Sequence, residues 1–175
     1  MLEPFHNDML TCSQKVCLAL AEKGLDWKKH YLNLKTGDQQ KPNYIKLNPN
    51  AFVPTLLDEG KVLIESTVIN KYLDDAYLEH PLCSKDACEG VRMCRWTKQF
   101  DEGVHAATGI LSMGIAFRYQ RLAQGPEVLE SMLKKMSDPG KHKRSREGIT
   151  KGVDASFFPP AIKRFDKLLG DVETR

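Results

Sequence analysis

The stretch NPNAFVPTLLDEGKVLIES, Asn48 to Ser66, constrains the fold of this chain more than any other. Val53-Pro-Thr-Leu-Leu57 is apolar and β-prone, Asp58-Glu59-Gly60 is a turn, and Lys61-Val-Leu-Ile64 is a second short strand. The segment therefore reads as a hairpin. Proline cannot donate to a sheet ladder, which sets Pro54 at a strand start or edge. The polar pair Glu65-Ser66 follows directly, and a helical pattern with Val68, Ile69, Tyr72 and Leu73 on its apolar side starts there, with Ser66 as its cap.

Upstream, Met1–His6 reads as a strand, weakened by Pro4. Ser13–Lys23 is an amphipathic helix with Val16, Ala19 and Leu20 on one stripe and Gly24 as its stop. Asp26–Leu34 is strand-like, a polar loop runs through Thr36–Gln40, and Pro42–Leu47 is a short helix with proline in its first turn. Residues 1–77 thus give the order β-α-β-α-β-β-α. A linker at 78–85 follows, after which strand signals stop. Residues 86–175 form a helical domain: a long pattern over Asp86–Leu122 (Met93, Trp96, Phe100, Val104, Ala107, Leu111), a helix over Glu127–Met136, a polar basic loop over Ser137–Gly152, and an amphipathic piece over Phe157–Leu169. The expected fold class is a small α/β domain followed by an all-α domain.

Composition narrows the function classes. A net charge of +3 across 175 residues is too small to imply nucleic acid or membrane partners. The basic run Lys141, His142, Lys143, Arg144 and Arg146 reads as a solvated loop. The longest apolar stretch, Ala106–Phe117, is too short to span a bilayer, and the N-terminal residues do not resemble a signal peptide. A cytoplasmic location is expected. The five cysteines include no CxxC and no zinc spacing, so reduced thiols and no metal are expected.

Two places carry chemistry. A serine at the start of a helix sets an N–H and a hydroxyl beside a positive dipole end, which suits a carboxylate, although a plain helix cap needs no ligand. Cys12 and Ser13 lie at the start of the first helix, where a thiolate is stabilised. Their plain alternatives are a small packed residue and a cap.

The motifs CSQKVCLALAEKGLDW and LNPNAFVPTLLDEGKVLIESTVINKYLD resemble the N-terminal, thioredoxin-like domain of cytosolic glutathione transferases over Met1–Tyr77. The likeness continues more loosely through RWTKQFDEGVHAATG, similar to the first long helix of that family's helical domain. DMLTCSQK and PNYIKLNPNAFVPTL resemble the glutathione-dependent dehalogenases of chlorinated hydroquinones. RWTKQFDEG and the insertion around KKMSDPG resemble the bacterial glutathione-dependent β-etherases.

The resemblance implies a cis Val53-Pro54 bond, with the Val53 backbone pairing with the cysteine of glutathione. It implies that Ser66 takes the γ-glutamyl carboxylate, that Glu65 takes its ammonium, and that Gln40 or Lys41 lies near the glycyl carboxylate. The serine that many members use to activate the thiol falls at Leu10 here, a departure, because leucine donates no hydrogen bond. By the β-etherase pattern Ser13 is the donor to the thiolate. By the dehalogenase pattern Cys12 attacks a glutathionyl adduct, and Thr11 is a weaker third candidate. The implied second substrate is a hydrophobic, aromatic electrophile against some of Trp96, Phe100, His105, Met113, Phe117 and Tyr119, with Trp96, Phe100 and Phe117 foremost. A homodimer is implied, with no nucleic acid and no membrane partner. The helical domain of the family continues past a helix like Ala161–Leu169, so partly uncovered apolar faces are expected here. The rival expectation is a non-catalytic binding member.

Overall fold

The structure is a computed structural model, and it describes residues 1–134 and 139–174. Residues Met1–Met93 and Cys94–Arg175 form two compact units.

In the first unit four strands, β1 (Leu2–His6), β2 (His30–Tyr31), β3 (Thr55–Asp58) and β4 (Lys61–Ile64), form one sheet in the order β2-β1-β3-β4. β2 runs parallel to β1, whereas β3 is antiparallel to β1 and to β4. The expected strand over Asp26–Leu34 shrinks to two residues for a physical reason. Lys28 and Leu32 donate backbone N–H groups to Leu2 and His6. Pro4, midway between those residues on β1, has no N–H to offer, and the ladder breaks there. Pro4 therefore sits in a central strand at the cost of its neighbour.

Helices α1 (Thr11–Glu22) and α3 (Ser66–Ala76) pack together over one sheet face. Leu2, Val16, Ala19, Leu20, Leu56, Ile69 and Leu73 form the core between them. Val68, expected on that apolar side, is exposed. Phe5 points the opposite way, stacked on His30 with ring centroids 4.4 Å apart and 5.8 Å from Tyr44 of α2 (Pro42–Ile45). Beneath α3, Lys23 is buried and pairs with Asp74 at 2.9 Å. Asp74 also accepts the N–H groups of Leu82 and Cys83 at 2.7 and 2.9 Å, which ties down the segment after α3. Tyr72 and Tyr77 both donate to Asp58 Oδ2 at 2.7 Å.

The second unit is helical. The long pattern is a nearly unbroken run, α4 (Ala87–Gln99), whose first residues belong to the first unit, then α5 (His105–Ser112) and α6 (Arg118–Leu122), with single π-helical turns at Phe100–Val104 and Met113–Phe117. Both turns contain a glycine against another element. Arg164 of α9 (Phe158–Glu173) lies over Gly103, and the Phe158 ring lies over Gly114.

Leu129 and Leu133 of α7 (Pro126–Lys134) pack on Ile149 of α8 (Pro139–Lys151). The expected end of α7 at Met136 and Ser137 lie outside the described residues. The basic segment expected to be a loop is the helix α8. Its charged residues are good helix formers, Pro139 stands at its start, and Arg146 grips Glu130 of α7 through two bonds of 2.5 and 2.6 Å. Arg118 closes the far end of α8, donating to Ile149 O at 3.1 Å and Thr150 O at 2.9 Å. Among the described residues no helix is long and apolar enough to cross a membrane, and no cluster of three or more metal-ligating side chains occurs.

Candidate functional site

Register brings the two odd motifs together. Thr55 pairs with Ile64, so the residues just outside the ladder, Val53-Pro54 before β3 and Glu65-Ser66 after β4, leave the hairpin at the same end. Phe5 pairs with Thr55, so β1 also finishes at that end, and its exit leads through Asn7–Leu10 into α1. The β1–α1 loop, the entry to β3 and the exit of β4 thus share one sheet edge.

The entry to β3 is held from behind. Thr55, wholly buried, shares a hydrogen bond with the Tyr44 hydroxyl at 2.8 Å and accepts one from Asn48 Nδ2 at 3.2 Å. Tyr44 and Asn48 also reach Phe52 O at 2.5 and 3.0 Å. Burial pushes the Tyr44 hydroxyl up from its ordinary value, so it remains a donor. The Val53-Pro54 bond is cis, and Val53 is buried. Among the described residues nothing meets the Val53 N–H or C=O with a hydrogen bond. Buried backbone groups are almost always paired, so an open pair here is an invitation to an incoming chain.

Ser66 does not cap α3, as the sequence suggested; it is the first helical residue, and Glu65 is the cap. Glu65 stands at φ 70°, a region costly for a residue with a Cβ. Ile69 N is the first amide of α3 to find a helical carbonyl, that of Glu65. The N–H groups of Ser66, Thr67 and Val68 are left at the positive end of the helix dipole. Ser66 is 7% exposed, and no described residue partners its hydroxyl. The Glu65 side chain is exposed.

At the start of α1 the structure extends the helix two residues beyond the sequence expectation, to Thr11. The cap is Leu10, which offers no side-chain hydrogen bond. Ser13 is therefore the third helical residue and faces inward, 1% exposed, accepting the Asn7 N–H at 3.2 Å. Cys12 is half-buried, and all five cysteines are thiols.

The residue that sequence reasoning missed is Asn7. Its amide group donates to Leu32 O at 2.8 Å and Tyr31 Oη at 3.2 Å, and its Oδ1 accepts Met9 N–H at 3.0 Å. This Asx turn shapes the loop that delivers Cys12 and Ser13. The signal was an Asn-Asp pair immediately after a strand.

The other candidates lie elsewhere. Gln40 and Lys41 are exposed, and Lys41 pairs with Asp38 at 2.7 Å. Trp96 and Phe100 form a tilted ring pair at 6.4 Å in the second unit, and Phe117 closes its second π-turn, half-buried.

A four-stranded mixed sheet with α1 and α3 on one face, a cis-proline before β3 and an open helix start after β4 is a thioredoxin-like domain. The family model of the glutathione S-transferase N-terminal domain matches residues 11–76, so this chain carries a glutathione S-transferase N-terminal domain. A zeta-class glutathione S-transferase of Euphorbia esula is 41% identical over 76 residues, which is 43% of this chain and 34% of that protein. Protein LigF of Sphingobium sp. (strain NBRC 103272 / SYK-6) is 34% identical over 114 residues, 64% of this chain and 44% of that one. The chain therefore spans less than half the length of either relative. The crystal structure of the beta-etherase LigF superposes with a TM-score of 0.84 at 24% identity, covering 99% of this chain and 72% of that chain, a likeness of fold.

Proposed function

We propose that the first unit binds glutathione along this sheet edge and presents its thiol, as a thiolate, to a hydrophobic, aromatic electrophile: a glutathione transferase. The observation that carries the reading is the conjunction at one hairpin end. The open backbone of Val53 suits the peptide backbone of glutathione, and the unpartnered Ser66 hydroxyl and open α3 amides suit its γ-glutamyl carboxylate. Glu65 is the counter-charge for the adjacent ammonium. Gln40 and Lys41 are the candidates for the glycyl end, with Lys41 exchanging its Asp38 partner for that carboxylate.

Ionising a thiol two to three units below its free value calls for roughly 3–4 kcal/mol of differential stabilisation. The positive end of the α1 dipole supplies part of this, at a helix start whose cap, Leu10, adds no side-chain hydrogen bond. Ser13 is the candidate hydroxyl donor. Its oxygen is occupied by Asn7, and its own proton remains to be given. A second reading is favoured by one observation: Cys12 is half-buried at the second residue of α1, whereas Ser13 is turned inward. In that reading the Cys12 thiolate attacks the sulfur of a glutathionyl adduct, as in the dehalogenase pattern: an S–S bond to glutathione forms, the C–S bond breaks, and the substrate carbon leaves with the electron pair and takes up a proton. Trp96, Phe100 and Phe117 are the candidates for the electrophile's apolar wall.

The test is calorimetric titration with glutathione, for the wild type and Ser66→Ala. The reading expects a Kd between about 1 μM and 1 mM, weakened at least about tenfold in the variant. A folded protein that takes up no glutathione would leave a binding module with another ligand. Conjugation assays with Cys12→Ser and Ser13→Ala then separate the two chemistries, since only the second requires Cys12.

A further inference from the structure

We propose that Tyr31 is a specificity-determining residue for the second substrate: its ring meets the aromatic group of the electrophile, and its hydroxyl donates to an oxygen carried by that group. This rests on the reading that glutathione binds at Val53 and Ser66.

The sheet order separates the two substrates. The residues proposed for glutathione flank β3 and β4, whereas β2 lies on the other side of β1. β2 runs parallel to β1, and its last residue, Tyr31, pairs with His6, the last of β1. Tyr31 therefore stands at the sheet end where Val53 and Ser66 leave the hairpin and where β1 exits towards α1. A thiol presented at the start of α1 by a ligand lying along β3 has the β2 side of β1 left for whatever it attacks. Neighbouring strands lie about 4.8 Å apart, so β2 is roughly 10 Å from β3, about the span of one aromatic group joined to a sulfur.

Tyr31 is 54% exposed, yet it is held at both its ring and its tip. Its Oη accepts a hydrogen bond from Asn7 Nδ2 at 3.2 Å, and buried Asn7 also donates from that nitrogen to Leu32 O at 2.8 Å. The ring stands at 81° to the buried His6 ring, with centroids 6.0 Å apart. An exposed side chain fixed in this way loses little freedom when a ligand arrives. Because Asn7 is the donor in their bond, the phenolic proton of Tyr31 has no acceptor among the described residues. An exposed aromatic ring with an unspent donor at its end suits a partner with a flat apolar group and an oxygen acceptor beside it. An aryl group bearing only alkyl substituents would gain the ring contact and leave the donor unpaired. Tyr31 thus separates electrophiles by an oxygen that takes no part in the attack.

The experiment needs no turnover. It titrates the 175-residue chain and its Tyr31→Phe and Tyr31→Ala variants with glutathione and two of its conjugates. S-phenacylglutathione carries a carbonyl beside its ring, and S-(2-phenylethyl)glutathione has a methylene in its place. Thermal melts confirm that each variant is folded. The wild type is expected to bind both conjugates more tightly than glutathione. Tyr31→Phe should weaken the phenacyl conjugate about fivefold, the size of one neutral hydrogen bond, and leave the other two ligands within about twofold. Tyr31→Ala should weaken both conjugates at least about threefold and spare glutathione. Equal weakening of all three ligands by Tyr31→Phe would make Tyr31 a strut of the β1–α1 loop and overturn the proposal. So would a Tyr31→Phe protein that binds both conjugates as the wild type does, or a wild type that binds them no better than glutathione; each of these leaves the glutathione reading standing. A wild type that binds no glutathione overturns both.

Discussion

The backbone N–H of Asn7 donates to Ser13 Oγ at 3.2 Å, and Ser13 is 1% exposed. One hydroxyl thereby closes the β1–α1 loop and stands at the start of the helix proposed to support a thiolate. A serine at this point has a structural duty whatever its chemistry.

Ser13→Ala should therefore cost about 1–3 kcal/mol of stability, because a buried N–H loses its partner. Cys12→Ser should change stability by less than about 1 kcal/mol. Urea unfolding of both variants checks this before any kinetics are read. A Ser13→Ala protein as stable as the wild type would show that the Asn7 contact contributes nothing.

Glu65 and Ser66 invite a different experiment. Glu65 at φ 70° carries a backbone cost of about 1–2 kcal/mol that glycine would not. Glycine adds about 0.5–1 kcal/mol of unfolded-state entropy in return. Glu65→Gly should thus be neutral to stabilising by about 1 kcal/mol, yet weaken glutathione by losing the counter-charge for its ammonium. A large loss of stability would mean that the Glu65 side chain, not the ligand, supports this geometry.

Acid should act through Asp58 and Asp74. Burial raises both carboxyls, but the Tyr72 and Tyr77 hydroxyls outweigh it at Asp58, and the Leu82 and Cys83 amides with Lys23 outweigh it at Asp74. Both end below the ordinary aspartate value. A lowered folded pKa stabilises above the unfolded value near about 4 and is lost as pH falls through the folded one. Melting temperature should therefore fall as pH drops from about 5 towards 2. A Tyr72→Phe/Tyr77→Phe protein should show a shallower fall. Tyr77 is shifted upward, by burial first and by Asp58 next, so stability should also decline once pH passes about 10. A flat profile across either window would remove the corresponding group from the account.

Three glycines of the helical unit separate crowding from flexibility. A Cβ on Gly114 would lie 2.8 Å from the Phe158 ring, which is itself buried, so Gly114→Ala should cost about 1–3 kcal/mol. On Gly103 it would meet Arg164 at 2.7 Å, and that exposed guanidinium can swing away, so the cost should be smaller. Gly109 has open space, and Gly109→Ala should stabilise by about 0.5–1 kcal/mol. Thermal melts rank the three, and any other order would refute the packing described for α9 against the two π-helical turns.

The hairpin, the α1 stripe and the thioredoxin-like order were readable because periodicity and turn residues act locally. Val16, Ala19 and Leu20 are buried as their spacing demands. What escaped depended on partners distant in sequence. β2 is short because Pro4 of another strand has no N–H, and Ser66 slips to the first helical turn because Glu65 takes a left-handed conformation. Asn7 organises its loop through Tyr31 and Leu32, some two dozen residues away. The segment read as a basic loop is α8, since helices formed by charged residues carry little apolar signal and depend on contacts such as Arg146 with Glu130.

The pairing of Thr55 with Ile64 makes the hairpin a measuring stick. Its four-residue arms and tight turn leave no slack between Val53 and Ser66, so the length of the segment between them is under constraint even where its side chains are not. A one-residue insertion in either arm would turn the following residues to the opposite face. In a library of length variants, changes at the turn itself should be tolerated far more often than single insertions within either strand.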